Sequence, residues 1–524
     1  MRQNTVVGGG APPSRSIKRD KNVASVIPAL ALHAGVAISA MAALLLFYSY
    51  CYPLHHDLAG SVLSGRLAVT LGHSYRNYNI YFPPAERIWY SIAARLSDWT
   101  GLRLDLAIAA TTGAMALISA EFAYWIRRQT VGASPLFFVV SVAALLIPPI
   151  LFKNIFGLRE HIVVLGLWPY LVLRVSDPDS THIGWRSRAL LGLWLGATLL
   201  LKYLYSAVVL LVEIADSSIQ RRPSLLIRTE NIVAGAIVAV YLFSWLILES
   251  SQRMAIGAMY SAIDANLEDP ATNMLKVIVF LGYAIAFLLV LRGFQVPRRL
   301  MALGFATVAG TIAVALSQER WYTHHLFPIF FAFGAWWWMS RRHFPLWGHI
   351  AVVLALSYSI LGEFVSTFQY NAQVAELGHA IDAAGLSVRG KRVGVLNMHP
   401  SPYNQYFASH DALRWNGLMN NAYVASELKP FDTKLNVGKL PPPVKLHDPG
   451  RRMLHDQMLR LWEDKPPDVL ILDHSTSWPL RYIKVDWLHE FSEDSRFNAI
   501  LRRYRPVLNY RGRLVSFTYY ARVD

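Results

Sequence analysis

Apolar runs long enough to cross a lipid bilayer recur from residue 26 to residue 365, and no other feature restricts the fold of this chain so strongly. A spanning helix needs about 20 mostly apolar residues, and fewer where helices break inside the protein. Backbone N–H and C=O groups in hydrocarbon must bond within the segment, which makes helices the expected element. By that rule the chain carries about eleven spans. They fall at 26–50, 104–126, 136–152, 162–173, 189–201, 204–214, 232–248, 275–291, 300–316, 326–339 and 350–365. The fifth and sixth are short and are split by Lys202-Tyr203. The fold class read from this pattern is a mainly α polytopic membrane protein.

A chain of this length would suggest several soluble domains, but 54% hydrophobic residues and a mean hydropathy of +0.31 point to a membrane protein instead. Cys51 is the single cysteine, so no disulfide forms within the chain and thiol metal sites have no support. The net charge of +16 comes from Arg and Lys in short clusters between apolar runs, with no basic helix of the kind that grips nucleic acid. Cytoplasmic loops rich in Lys and Arg explain it better. Arg127-Arg128, Arg174, Arg186, Arg188, Arg221-Arg222, Arg292, Arg298-Arg299 and Arg341-Arg342 fall on alternate loops, together with a basic N-terminus. Residues 1–25 read as a disordered cytoplasmic lead and 26–366 as the transmembrane unit, its first apolar run too long for a typical cleaved signal.

The opposite, outer face holds the polar loop 53–103, which begins with an acid, Asp57, close behind the first span. Two amphipathic stretches flank Pro83-Pro84 in that loop, which is expected to lie on the bilayer surface. Further polar residues gather on the same face: Arg159-Glu160-His161 at the mouth of one span, Lys202 at the split pair, and 318–325 with Glu319, Arg320, Trp321, Tyr322, His324 and His325. Charges at membrane depth cost several kcal/mol unless paired or solvated, so their gathering points to a shared aqueous cavity. The plain alternative is snorkelling side chains with Trp321 and Tyr322 as belt aromatics.

From residue 367 to 524 the chain becomes charged and Pro-containing, the mark of an outer α/β domain. The runs RVGVL (392–396) and DVLIL (468–472) read as buried strands of a small parallel sheet, preceded by a helix over 371–384. No G-x-G-x-x-G follows RVGVL, so no dinucleotide site is expected.

The acid after the first span, the two-part surface loop and the stretch Tyr81-Phe82-Pro83-Pro84-Ala85-Glu86-Arg87-Ile88-Trp89-Tyr90 resemble the C-type glycosyltransferase superfamily. The resemblance is to its protein O-mannosyltransferase and lipid A aminoarabinose transferase branch, whose loop carries F-x-K/H-P-P-L-x-x-W. Phe82 stands where those families have Lys or His, Ala85 where they have Leu, and no Pro follows the Lys202 break. What the resemblance implies is sugar transfer from a polyprenyl-phosphate-linked donor to a glycan, lipid or protein acceptor, on the outer membrane face; the single Cys and the many Arg residues point to a bacterial inner membrane.

That reaction needs a base for the acceptor proton and cations for the leaving phosphate. Asp57 is the candidate base and Glu160 a second acid. Arg159, Lys202, Arg320 and His324 are candidates for the phosphate, and Tyr81, Glu86, Trp89, Tyr260 and Tyr322 for the substrate. Trp415, Asn420 and Asn421 would suit sugar contacts in the outer domain. The rival readings are a transporter or flippase, or a polymerase, of lipid-linked saccharides. The cofactor left open is a divalent cation, Mg²⁺ or Mn²⁺; His55-His56-Asp57 offer ligand types, but adjacent positions seldom face one ion. Membrane lipids are expected partners and nucleic acid is not.

Overall fold

The computed structural model describes residues 23–50, 54–71, 83–152, 154–179, 181–247, 253, 257, 270–318, 322–399, 401–416, 427–443, 445, 449–476, 480 and 482–523. Of the candidate residues, Tyr81, Tyr260, Arg320, Asn420 and Asn421 lie outside them, as does the lead expected to be disordered up to residue 22.

Helices occupy all eleven apolar stretches. They are α1 (Val23–Tyr50), α4 (Leu104–Thr130), α5 (Pro135–Leu151), α6 (Arg159–Ser176), α7 (Trp185–Leu199), α8 (Ser206–Gln220), α9 (Thr229–Leu246), α10 (Pro270–Gly293), α11 (Arg298–Ser317), α12 (Thr323–Ser340) and α13 (Leu346–Ala383). Among the described residues, four segments are long and apolar enough to cross a membrane: Leu30–Tyr50, Leu104–Thr130, Met274–Gly293 and Arg298–Ser317. Pro135–Leu151 and Thr229–Ser244 are shorter apolar helices. Leu30, Ile38 and Leu46 on α1 and Leu275, Ile278 and Leu289 on α10 are large apolar side chains left exposed. Surface of that kind suits hydrocarbon contact rather than water.

Two more helices, α2 (His56–Leu71) and α3 (Pro84–Thr100), fill the polar loop. Only α3 keeps the surface character expected of both. Its Ile88, Ile92 and Trp99 stay exposed while Tyr90, Ala93 and Ala94 are buried. By contrast α2 is buried nearly from end to end, because its two ends serve two cores. Leu58, Ala59, Val62 and Leu63 pack into the helical layer, whereas Leu67 and Ala68 belong to the core of the C-terminal domain. The α2–α3 crossing is so close that a Cβ on Gly65 would stand 2.5 Å from the backbone carbon of Tyr90.

The C-terminal domain holds a five-stranded sheet of order β2-β1-β3-β5-β4. Its strands are β1 (Arg392–Leu396), β2 (Leu413–Arg414), β3 (Val469–Asp473), β4 (Tyr504–Arg511) and β5 (Ser516–Arg522). The parallel part, β2-β1-β3, contains both runs read as strands, with Val393 opposite Val469 and Leu396 opposite Leu472. β3 is buried along its whole length, as strands covered on both faces are. The sheet is mixed rather than parallel throughout: β5 runs antiparallel to β3 and β4 to β5. That hairpin was missed because YRPVLNYR carries polar residues and a proline, which fits an edge strand with a register shift at Pro506. The last span and the helix expected at 371–384 are one continuous helix, α13, so the boundary set at 366/367 falls inside it.

Candidate functional site

Four helix ends and one helix break meet beside the C-terminal domain. Asp57 stands in the first turn of α2. Glu86 stands in the first turn of α3, where Pro84 begins the helix with a backbone already fixed for it. Arg159 and Glu160 open α6, behind a turn in which Gly157 takes φ +88°. A Cβ there would be strained and would stand 3.0 Å from Leu58. Lys202 sits where α7 ends and a single 3₁₀ turn, Tyr203–Tyr205, precedes α8. His324 and His325 lie in the first turn of α12.

The contacts divide into pairs. Arg159 Nη1 donates to Glu86 Oε2 at 3.0 Å, and Ser61 Oγ donates to Glu86 Oε1 at 3.4 Å. Lys202 Nζ donates to Glu160 Oε1, with His325 Nε2 3.7 Å from the same oxygen. Around Asp57 the partners are imidazoles: His56 Nε2 at 3.5 Å, His55 Nδ1 at 3.7 Å and His324 Nδ1 at 4.0 Å. His399, from the loop behind β1, brings its ring centroid to 4.8 Å from that of His56.

Asp57 is recessed among protein atoms yet keeps 44% of its side-chain surface open to solvent, while Glu86 and Glu160 keep 1% each. Burial works against the charge of Asp57. The imidazoles of His56, His55, His324 and His399, when protonated, outweigh it and hold the carboxyl well below the usual range. Burial raises Glu86 to about 7, with Arg159 pulling the other way and Glu160 adding to the rise. One end therefore holds an ionised, reachable carboxylate beside a carboxyl poised near neutrality.

The C-terminal domain is fastened over this end. A short helix, α14 (Tyr403–Ser409), supplies Asn404 and Gln405, whose amide nitrogens donate to the backbone oxygens of His56 at 3.3 Å and Leu54 at 2.8 Å. Asp411 accepts from Arg66 of α2 at 3.1 Å and from the Leu104 backbone N–H at 3.2 Å.

Among the sequence candidates, Asp57, Glu86, Arg159, Glu160, Lys202, His324 and Tyr322 are brought together here. Tyr322 lies with its ring 5.6 Å from that of His324. Glu86 is too buried to face a substrate and instead holds Arg159. Trp89 is half-buried against the helical core. Trp415 is not a sugar platform: it is 2% exposed and its Nε1 donates to Lys465 O at 2.6 Å. His161 turns away from its neighbours; its Nδ1 accepts from Gly157 N and its Nε2 donates to Leu145 O, so it ties the α6 turn to α5. Sequence reasoning passed over His399. Its signal was position: it follows β1 at the carboxyl end of a parallel strand, where α/β sheets place functional groups.

A second charged cluster lies at the other end of α6, about 22 Å along the helix from Arg159. Arg174 pairs with Glu213 at 2.6 Å and with Glu230. Arg188 pairs with Asp177 at 2.5 Å and Glu230 at 2.9 Å. Arg228 reaches Glu213 and Asp216 at 3.0 Å each, and Arg299 reaches Asp216 at 2.7 Å. Several of the arginines read as loop charges are thus buried in an ion-pair network.

No protein-family model matches this chain, and no curated protein matches it.

Proposed function

We propose that the chain is an integral-membrane glycosyltransferase that moves a sugar from a polyprenyl-phosphate-linked donor to a cell-envelope glycan, lipid or protein, with Asp57 as general base. The observation that carries this reading is the meeting of Asp57, Glu86, Arg159, Glu160, Lys202 and His324 at one end of the helical layer. The acceptor oxygen attacks the anomeric carbon as the bond from that carbon to the phosphate oxygen breaks. Asp57, ionised and reachable, takes the acceptor proton. Arg159 and Lys202 stand near enough to meet the charge that grows on the departing phosphate. Arg159 suits this best, since Glu86 can turn neutral and release it, and a guanidinium can bind phosphate through two N–H groups.

Transport of the same lipid-linked saccharide fits less well, because transporters gather charge near the bilayer midplane on broken helices in both halves. Here the titratable groups stand at helix ends. The reading places the N-terminus in the cytoplasm of a bacterium and the C-terminal domain in the periplasm. Reporter fusions after Arg342 and after Asp524 are expected to report opposite sides, and a cytoplasmic signal at Asp524 would remove the proposed outer site.

The direct test uses purified protein, a panel of synthetic polyprenyl-phosphate sugars and the variant Asp57→Asn. Loss of base catalysis lowers transfer by about 10² to 10⁴, with donor binding kept. Near-normal transfer by the variant would take the role from Asp57. A wild-type protein that binds none of the donors would remove the reading itself.

A further inference from the structure

Among the described residues, Arg159 and Lys202 are cations at this end of the helical layer, and each holds a carboxylate, Glu86 and Glu160. What surrounds Asp57 instead is imidazole.

We infer that His55, Asp57 and His324 form a binding site for a single zinc-class divalent ion, with a fourth position open to the recess. The ligand atoms of these three residues lie within 4.8 Å of one another. Asp57 Oδ2 is the common member, 3.7 Å from His55 Nδ1 and 4.0 Å from His324 Nδ1. Two ligands on a tetrahedral zinc, bound at about 2.0–2.1 Å, stand roughly 3.3 Å apart. Asp57 Oδ2 stands about 0.4 and about 0.7 Å beyond that spacing from the two ring nitrogens, a gap that side-chain rotation closes. His55 Nδ1 accepts from the Asp57 backbone N–H at 3.2 Å, so it is the unprotonated ring nitrogen, the form that ligates. The ion would take the place of that long bond.

The donor set also selects the metal. Two imidazoles and one carboxylate suit zinc, cobalt or iron, whereas magnesium prefers oxygen ligands throughout. Adjacent positions such as His55 and Asp57 seldom reach one ion by themselves; the third ligand comes from α12, more than 260 residues further on in the sequence. His56, 3.5 Å from Asp57 Oδ1, lies behind the carboxylate and orients it. A second trio, Glu160, His324 and His325, has atoms equally near one another. It is the poorer site because the Lys202 ammonium on Glu160 Oε1 sets a positive charge against any cation held there, even though Oε2 makes no hydrogen bond. With the ion on Asp57 Oδ2 the recess gains two positive charges and its open position takes an oxygen of hydroxyl type, while Oδ1 stays available to accept a proton. That consequence for a substrate rests on the proposed glycosyl transfer; the metal site does not.

The test is metal binding by the tag-free, full-length protein in detergent, with no donor present. Chelator-treated protein is titrated with Zn²⁺ by calorimetry and with Co²⁺ by visible absorption, and metal content is measured after desalting. One tightly held ion per chain is expected, with tetrahedral-type Co²⁺ absorption. His55→Ala and His324→Ala are each expected to weaken binding at least about 100-fold, above the 10- to 100-fold that loss of a supporting partner costs. His325→Ala and the exposed His182→Ala should bind as wild type does. Elution and melting profiles of all variants are compared, so that a misfolded variant is set aside and Asp57→Asn, which keeps its shape, takes its place. A wild-type protein that binds no Zn²⁺ above background overturns the inference. So does loss of binding in His325→Ala with retention in His55→Ala, which would move the ion to the other trio. Because donor and acceptor are absent from every arm, failure here leaves the transfer reading standing, and failure of transfer leaves the metal site standing.

Discussion

The two ends of α6 carry charge in opposite ways. At the Arg174 end, Arg174, Arg188, Arg228 and Arg299 face Asp177, Glu213, Asp216 and Glu230, and each guanidinium meets at least one carboxylate at bonding distance. At the Arg159 end, Asp57 has imidazoles for neighbours and keeps much of its surface, while Glu86 is held near neutrality. Buried ion pairs stabilise little relative to apolar packing, but removing one partner strands the other. The Arg174 end reads as a clasp that ties α6, α7, α8, α9 and α11 in one register. The Arg159 end spends the same residue types on unequal partners, and unequal partners are what proton transfer and anion binding require.

The largest expected effect comes from breaking the clasp. Arg174→Ala leaves Glu213 and part of Glu230 buried without that cation, a change that costs about 3–5 kcal/mol in buried pairs. Thermal melting in detergent should fall accordingly, and expression with it. If the melting temperature stays within a degree of wild type, the Arg174 cluster is not structural and the contrast between the two ends fails.

The same substitution at the Arg159 end should behave differently. Arg159→Ala also strands a buried glutamate, but Glu86 can take up a proton near neutral pH, so the stability loss should be about 1 kcal/mol, the scale of one ordinary hydrogen bond. Donor affinity should fall roughly 10- to 100-fold, as expected for one charge-assisted contact of about 1.5–3 kcal/mol. Equal destabilisation by Arg159→Ala and Arg174→Ala, with donor binding unchanged, would make both ends alike.

How much of this was open to reading from the chain depends on where the signal lies. Asp57, Glu160, Lys202 and His324 stood out because each polar residue interrupts or borders an apolar run, where charge is costly. All four reach the same end. The carboxylates of the Arg174 clasp did not stand out. Counting only Arg and Lys for orientation hides the acids that neutralise them, and Glu213 and Asp216 lie on α8 with no local mark of their partners. His399 and Gln405 reach the loop after α1 across some 340 residues of sequence, a contact that periodicity cannot report. The continuity of α13 was masked by a change of composition. Its sequence turns polar near Gln369, yet no proline interrupts it from Leu346 to Ala383, so the helix runs on.

The smallest effect expected is a pH dependence confined to the Arg159 end. Glu86 has its pKa raised from 4.5 to about 7 by burial, against the pull of Arg159 on α6 and of Lys202, with Glu160 on α6 adding to the rise and Ser61 on α2 lowering it. Between those two values the folded protein keeps a proton that the unfolded chain has released. Stability therefore falls as pH rises from about 4.5 to about 7 and levels off above, the reverse of the usual salt-bridged acid. The quantity to measure is the difference between wild type and Glu86→Gln in melting temperature across pH 5 to 8, in which pH effects common to the two proteins cancel. Gln keeps the shape and the bond from Ser61 but has no proton to exchange, so the wild-type curve should gain on the variant as pH falls below about 7. Donor affinity should follow, rising in the wild type as protonated Glu86 lets go of Arg159 and staying flat in Glu86→Gln. Parallel curves for the two proteins would mean that Glu86 stays ionised throughout, and the Glu86–Arg159 pair would then be a second clasp rather than a releasable one.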